Sequence, residues 1–178
     1  MSNSNLSAAR GRLFRTAVRT LVAALLGLAM GMPGPALAAS GAGGPAPAGC
    51  TGPASNTWLR VVAEDVKSSA GSIAITLYPD IPSRFLAHHG SLYVTFVKAS
   101  AGNTEGCIHI PKPGVYVIAL YHDANDNRKF DRTSVGLPDE GYGFSNNPPT
   151  LFGLPSFTSV RLNISKSGLT SHIQMKYP

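Results

Sequence analysis

The sequence predicts an all-β protein, an antiparallel β-sandwich of about seven strands interrupted by one long loop. Three observations lead there. Between residues 56 and 178 the apolar side chains recur every second residue rather than every ~3.6. Clusters of Gly, Pro, Asn, Asp and Ser punctuate these runs at the spacing of a sandwich or barrel. Helical periodicity is absent, apart from one turn's worth of residues around 83–88.

The strands follow in order. In 58–65, Leu59, Val61 and Ala63 share one face, with Arg60 and Glu64 on the other. In 72–78, Ile73, Ile75 and Leu77 point inward. Residues 92–97 form a third strand and 107–110 a short fourth. Residues 115–121 (Val-Tyr-Val-Ile-Ala-Leu-Tyr) are apolar on both faces, which places them centrally in a sheet. Segments 159–164 and 171–177 close the domain, and Ser165-Lys166-Ser167-Gly168 between them reads as a hairpin turn. The 123–155 loop has no strand pattern and is rich in Gly, Pro, Asn and aromatic residues. A loop of that length in a compact domain is usually functional or internally ordered.

Residues 1–38 read as a cleavable secretory signal. Arg10, Arg12, Arg15 and Arg19 supply a positive start, 21–30 an apolar centre, and Pro33-Gly34-Pro35 a break. Ala36-Leu37-Ala38 places small residues before a cut between Ala38 and Ala39. The apolar centre is shorter than the ~20 residues a membrane anchor needs, and the mature chain has no later apolar run, so no membrane span is expected in it. The leader also explains the charge. The formal net charge is +6, yet without the four leader arginines eleven basic residues face nine acidic ones. A near-neutral domain with scattered bases has no footprint for nucleic acid.

Residues 39–55 are Ala, Gly, Pro, Ser and Thr with little else, a flexible lead-in to the sandwich domain at 56–178. The only two cysteines, Cys50 and Cys107, both lie in the exported part, where an even count predicts a disulfide.

The clearest chemical constellation follows the central strand. Asp123, Asn125, Asn127 and Asp131 stand at positions 1, 3, 5 and 9 of a calcium-loop register, and the Lys129 carbonyl stands at position 7. Alternate short oxygen-bearing side chains in such a loop turn onto one hard cation. Arg128 occupies the position that usually holds Gly, and Ser134 the position of the usual bidentate Glu; Asp139 or Glu140 folding back would complete the shell. The other reading is an Asx-turn network, in which the same side chains bind only backbone N–H groups. A calcium site here would have the affinity of extracellular modules, ~10⁻⁴–10⁻³ M; no other cofactor is expected.

Gly141-Tyr142-Gly143-Phe144-Ser145-Asn146-Asn147 reads as a tight, packed loop. Ser145 lacks the second Gly of a nucleophile elbow, and no strand leads into it. The five histidines show no metal-ligand spacing. His122 adjoins the acidic loop as a hydrogen-bond anchor. No cluster amounts to a catalytic site, so no catalytic residues are assigned.

The segment 113–123, then Asn125, Asn127 and Asp131, Gly136-Leu137-Pro138, and the run Glu140-Gly141-Tyr142-Gly143-Phe144-Ser145-Asn146-Asn147 resemble the bacterial family called domain of unknown function 2141. That resemblance implies an exported β-sandwich and carries no established activity. The Pro-Gly-x-Tyr strand opening is shared, more loosely, with transthyretin-like sandwiches. The expectation is therefore an immunoglobulin-like or prealbumin-like sandwich, periplasmic or secreted. Its expected role is a non-enzymatic binding or accessory module of the cell envelope, with an envelope component or a small ligand as partner. Two alternatives stand beside it. One is a hydrolase using His122, Asp123 and Ser145. The other is a structural assembly protein exposing Tyr142, Phe144 or Phe152.

Overall fold

A computed structural model of the chain describes residues 44–150 and 154–178. The signal segment and Phe152 lie outside the described residues. The described residues form one compact unit, and among them no helix is long and apolar enough to cross a membrane.

Among the described residues eight strands build two sheets: β1 (Thr57–Val66), β2 (Ser72–Pro79), β3 (Tyr93–Lys98), β4 (Gly102–Ile110), β5 (Gly114–Asp123), β6 (Tyr142–Phe144), β7 (Arg161–Ile164) and β8 (Leu169–Gln174). A one-turn helix, α1 (Phe157–Val160), leads into β7 and takes up the first two residues of the segment 159–164 that the sequence reads as strand. One sheet has the order β4-β1-β8 and the other β3-β2-β5-β6. The far edge of β5 is shared: its first half pairs β7 and its second half pairs β6. The protein is an all-β sandwich.

The alternation read from the sequence places the core correctly. Leu59, Val61 and Ala63 meet Ile73, Ile75 and Leu77 between the sheets, joined by Ile118, Leu120, Ile164 and Ile173. Each such Leu or Ile contributes ~1.5–3 kcal/mol by leaving water. The two-faced strand β5 is central, as expected. Tyr116, Ile118 and Leu120 point into the main core. Val117 and Ala119 point outward into a second, smaller cluster with Phe144 and Val160, flanked by Tyr78, Phe85, Tyr142 and Phe157. The outer face of this sheet is thus dressed by the long loop.

Several details differ from expectation. The 165–168 segment is a turn but not a hairpin, because β7 pairs with β5 in one sheet and β8 with β1 in the other. The β1–β8 pair is parallel, so the sandwich is not purely antiparallel. Local turn chemistry reverses the chain at Gly168 (φ +79°), but burial decides which sheet edge the next strand meets. Ile164 and Ile173 are both fully buried, one on each sheet. Third, the loop contains β6, three residues long, and β4 starts earlier than the apolar run 107–110 suggests. The added part of β4 is a polar stretch at a sheet edge, where alternation is weak.

The Cys50–Cys107 disulfide is formed. Beside it the Thr51 N–H donates to the Cys107 carbonyl at 2.9 Å, and the His109 N–H to the Thr51 carbonyl at 2.9 Å. The end of the lead-in therefore runs along the free edge of β4.

Candidate functional site: the loop leaving the central strand

The site is built where β5 ends. Alternation sends His122 to the inner face and Asp123 to the outer one, and both are buried. His122 is committed on both sides. Its Nδ1 lies 2.8 Å from the Tyr177 hydroxyl and its Nε2 2.8 Å from the Ala70 carbonyl, to which it donates. It anchors the C-terminal segment to the chain before β2, as a packing histidine does.

Asp123 organises the loop. Its Oδ1 accepts from the Asn127 N–H (2.9 Å) and its Oδ2 from the Arg128 N–H (2.8 Å). Asn125 Oδ1 accepts from the Asn127 N–H, and Asn127 Oδ1 from the Lys129 N–H. These are Asx turns, and they curl the chain back on itself. The side-chain amides of Asn125 and Asn127 both donate to one oxygen, Asp131 Oδ2, at 2.8 Å each. Arg128, in the Gly position, adopts the left-handed backbone that Gly would supply (φ +63°). Its guanidinium lies 4.2 Å from the centre of the Phe96 ring.

Of the two acids proposed to fold back, Glu140 does so. Its Oε2 accepts from the Asp131 N–H at 3.1 Å, whereas Asp139 is exposed. Burial pushes the Glu140 carboxyl above its ordinary range; the Asp131 N–H opposes this, and the neighbouring carboxylates of Asp131 and Asp123 push it up further. Glu140 Oε1 has no hydrogen-bond partner among the described residues. Among the described residues, no group of three His, Cys, Asp or Glu side chains alone is arranged to hold a metal ion. Any cation here would need the amide and carbonyl oxygens as well.

Next to the loop, on the outer face of the five-stranded sheet, lies a cavity of about 250 Å³. Outward residues of β2 and β5 (Tyr78, Ala119, Tyr121) form its floor, Tyr142 and Phe144 of β6 one wall, and Phe130, Arg132 and Pro138 of the loop another. The rings pack edge-on or tilted: Tyr121–Phe130 at 5.6 Å, Phe130–Tyr142 at 6.5 Å and Tyr142–Phe144 at 6.0 Å between centres. Burial raises the Tyr78 hydroxyl pKa. Burial, with the charges of Asp123 and Glu140 behind it, pushes the Tyr121 pKa up to about 12. The Arg132 guanidinium stands 5.0 Å from the centre of the Phe130 ring and has no carboxylate partner among the described residues. The sequence reading singled out Tyr142 and Phe144 but missed Tyr78, Tyr121, Phe130 and Arg132. Strand parity held the signal, since it puts Tyr78 and Tyr121 on the face away from the main core.

Contrary to the sequence expectation a strand does lead into Ser145, since β6 ends at Phe144, but the Ser-Asn-Asn end of the loop is structural. Ser145 is fully buried; its hydroxyl donates to the Val160 carbonyl and accepts from the Ile118 N–H. Asn146 Nδ2 donates to the Ser159 and Arg161 carbonyls. Asn147 donates to the His172 carbonyl and accepts from the Gln174 N–H, gripping β8. Gly143 allows that approach, because a Cβ there would lie 2.7 Å from the Gln174 carbonyl oxygen. His122 and Ser145 do not come together. His122 pairs opposite Gly141, and Ser145 opposite Ile118, four residues or ~13 Å along β5. The hydrolase arrangement of His122, Asp123 and Ser145 is not assembled. Of the aromatics offered as an assembly surface, Phe144 is buried and Tyr142 half-buried.

No curated protein and no solved structure matches this chain. A family profile does match, over residues 61–172, more than half of the sequence, and it spans β1 to β8 with the whole loop. The chain belongs to the bacterial family described as "Uncharacterized protein conserved in bacteria (DUF2141)".

Proposed function

We propose that this is an exported, non-enzymatic binding module of the bacterial cell envelope, and that its ligand site is the aromatic cavity beneath the loop. Three features support export: the leader composition, the expected cut between Ala38 and Ala39, and the disulfide between Cys50 and Cys107. The mature domain would work in the periplasm or outside the cell.

The cavity's lining carries the binding reading. Apolar pockets with a few convergent polar groups are the usual form of small-ligand sites. The polar side chains in the lining that can donate to a ligand are Arg132, one Nη of which already donates to the Gly136 carbonyl at 2.9 Å, and Tyr78, Tyr121 and Tyr142. None of the three hydroxyls is hydrogen-bonded to another described residue, whereas those of Tyr93, Tyr116 and Tyr177 all are. The raised Tyr78 and Tyr121 pKa values keep those two hydroxyls protonated, so they donate. Donors around flat apolar walls suit a small planar ring bearing an acceptor anion, an aryl carboxylate. The volume of about 250 Å³ suits a single substituted ring.

Calorimetric titration of the 39–178 unit with benzoate, benzamide and a neutral hexose tests the reading. Benzoate should bind with Kd on the order of 1 mM or tighter and at least ~10-fold better than benzamide, since a hydrogen bond to a charged group contributes ~1.5–3 kcal/mol. Arg132→Ala should abolish that preference. Equal or absent binding of all three probes defeats the assignment.

A further inference from the structure

The loop holds more negative charge than its surroundings neutralise. Asp123 is fully buried, Glu140 is 9% exposed, and Asp131 is partly buried. The ion pairs among the described residues are Arg60–Glu105, Arg161–Asp80 and His172–Glu64, and none involves these three acids. Burying a carboxylate without a partner is costly. Backbone N–H groups relieve Asp123 at both oxygens and Glu140 at one. Glu140 Oε1 is buried without a hydrogen-bond partner of good geometry among the described residues, on a carboxylate held against the loop by the Asp131 N–H and eased to a smaller degree by the Ala124 N–H.

We propose that this loop binds calcium, using Asp123, Asn125, Asn127, Asp131, the Lys129 carbonyl and Glu140 as oxygen ligands. A hard cation takes six to eight oxygens of this kind. The Asx turns do not compete with it, because each carboxylate or amide oxygen has a second lone pair. Two amide N–H groups now converge on Asp131 Oδ2. They place partial positive charge where an ion would place a full one. The carbonyl-bearing residues 124–129 are exposed, so adjusting their side chains on binding displaces no core. Glu140 takes the role that Ser134 in the usual twelfth position cannot, and it arrives already ordered by β6, which begins two residues later.

The site is independent of the aryl-carboxylate reading and is tested without any organic ligand. The 39–178 unit is titrated with CaCl₂ by calorimetry, and its melting temperature is followed to about 10 mM. The expected outcome is one site with Kd ~10⁻⁴–10⁻³ M, and a rise in melting temperature of about 5–10 °C where calcium exceeds Kd ~100-fold. Glu140→Gln should weaken calcium binding at least ~10-fold while the calcium-free protein melts no lower than wild type, because a neutral group replaces the unpaired buried charge. Asn125→Ala, on the exposed part of the loop, should weaken binding without touching the core. Absence of heat and of a thermal shift in the wild type overturns the proposal. So does unchanged calcium affinity in both variants.

Discussion

Arg128 is the residue at which local backbone preference and the loop's shape disagree. It occupies the left-handed region, which costs a non-Gly residue about 1–2 kcal/mol relative to its preferred conformation. Against that, stacking its guanidinium on Phe96 returns ~0.5–1 kcal/mol at an exposed position. The two effects separate by substitution. Arg128→Ala keeps the backbone conformation and loses the stacking, so urea unfolding should show a loss of about 0.5–1 kcal/mol. Arg128→Gly should then recover about 1 kcal/mol relative to the alanine variant, because Gly adopts the conformation freely. A glycine variant no more stable than the alanine variant would show that the backbone at 128 stores no strain. Glu140 illustrates the opposite case, a residue whose importance depends on its neighbours. Its type is ordinary; its burial, its bond to the Asp131 N–H and its unpartnered oxygen are set by the fold.

At the scale of elements, the outer face of the five-stranded sheet is held by short pieces that could not stand alone. β6 has three residues and β7 four, and both dock on the same edge of β5. What fixes β7 besides its ladder is Arg161, whose Nε and an Nη donate to the two carboxylate oxygens of Asp80 at 2.7 and 2.6 Å. Asp80 immediately follows β2, so the pair ties the end of one strand to the start of another across β5. The Arg161 hydrogen bond holds the Asp80 carboxyl below its ordinary pKa. A depressed acid stabilises the fold above its unfolded value, ~3.9, and that contribution disappears as pH falls through the lower folded value. Wild type and Asp80→Asn should therefore differ in melting temperature at neutral pH and converge as pH falls below about 4. A difference that persists at pH 2 would assign the effect to packing. The pair is solvent-exposed, so the difference should shrink with added salt.

On the scale of the whole molecule, the disulfide is the largest single constraint. It closes a separation of 57 residues, for which chain entropy gives a stabilisation of about 4 kcal/mol. It also sets the path of the lead-in, whose Gly44 carbonyl accepts from the Trp58 indole N–H at 3.0 Å. Trp58 is the only tryptophan of the chain, so its fluorescence reports on this contact. Reduction, or paired Cys50→Ser and Cys107→Ser substitution, should lower stability by about that 4 kcal/mol and shift Trp58 emission to longer wavelength before global unfolding. Unchanged emission on reduction would mean that the lead-in holds its place without the bond.

The sequence by itself determined the all-β class, the inward face of each long strand, the central place of β5, the disulfide pair and the Asp-Asn loop that follows β5. These are properties of local pattern and composition: alternation shows wherever one face is buried, and two cysteines allow one pairing. Tertiary structure alone decided which sheet each strand joins, including the parallel β1–β8 pair and the crossing at 165–168. It alone brought Glu140 rather than Asp139 onto the loop and kept His122 apart from Ser145. Tyr78, Tyr121, Phe130 and Arg132 meet around one cavity only once β2, β5 and the loop are layered together. The physical reason is range. Turn chemistry and side-chain period act over a few residues, whereas sheet membership and cavity walls depend on burial between segments that can lie fifty or more residues apart, as Tyr78 and Phe130 do.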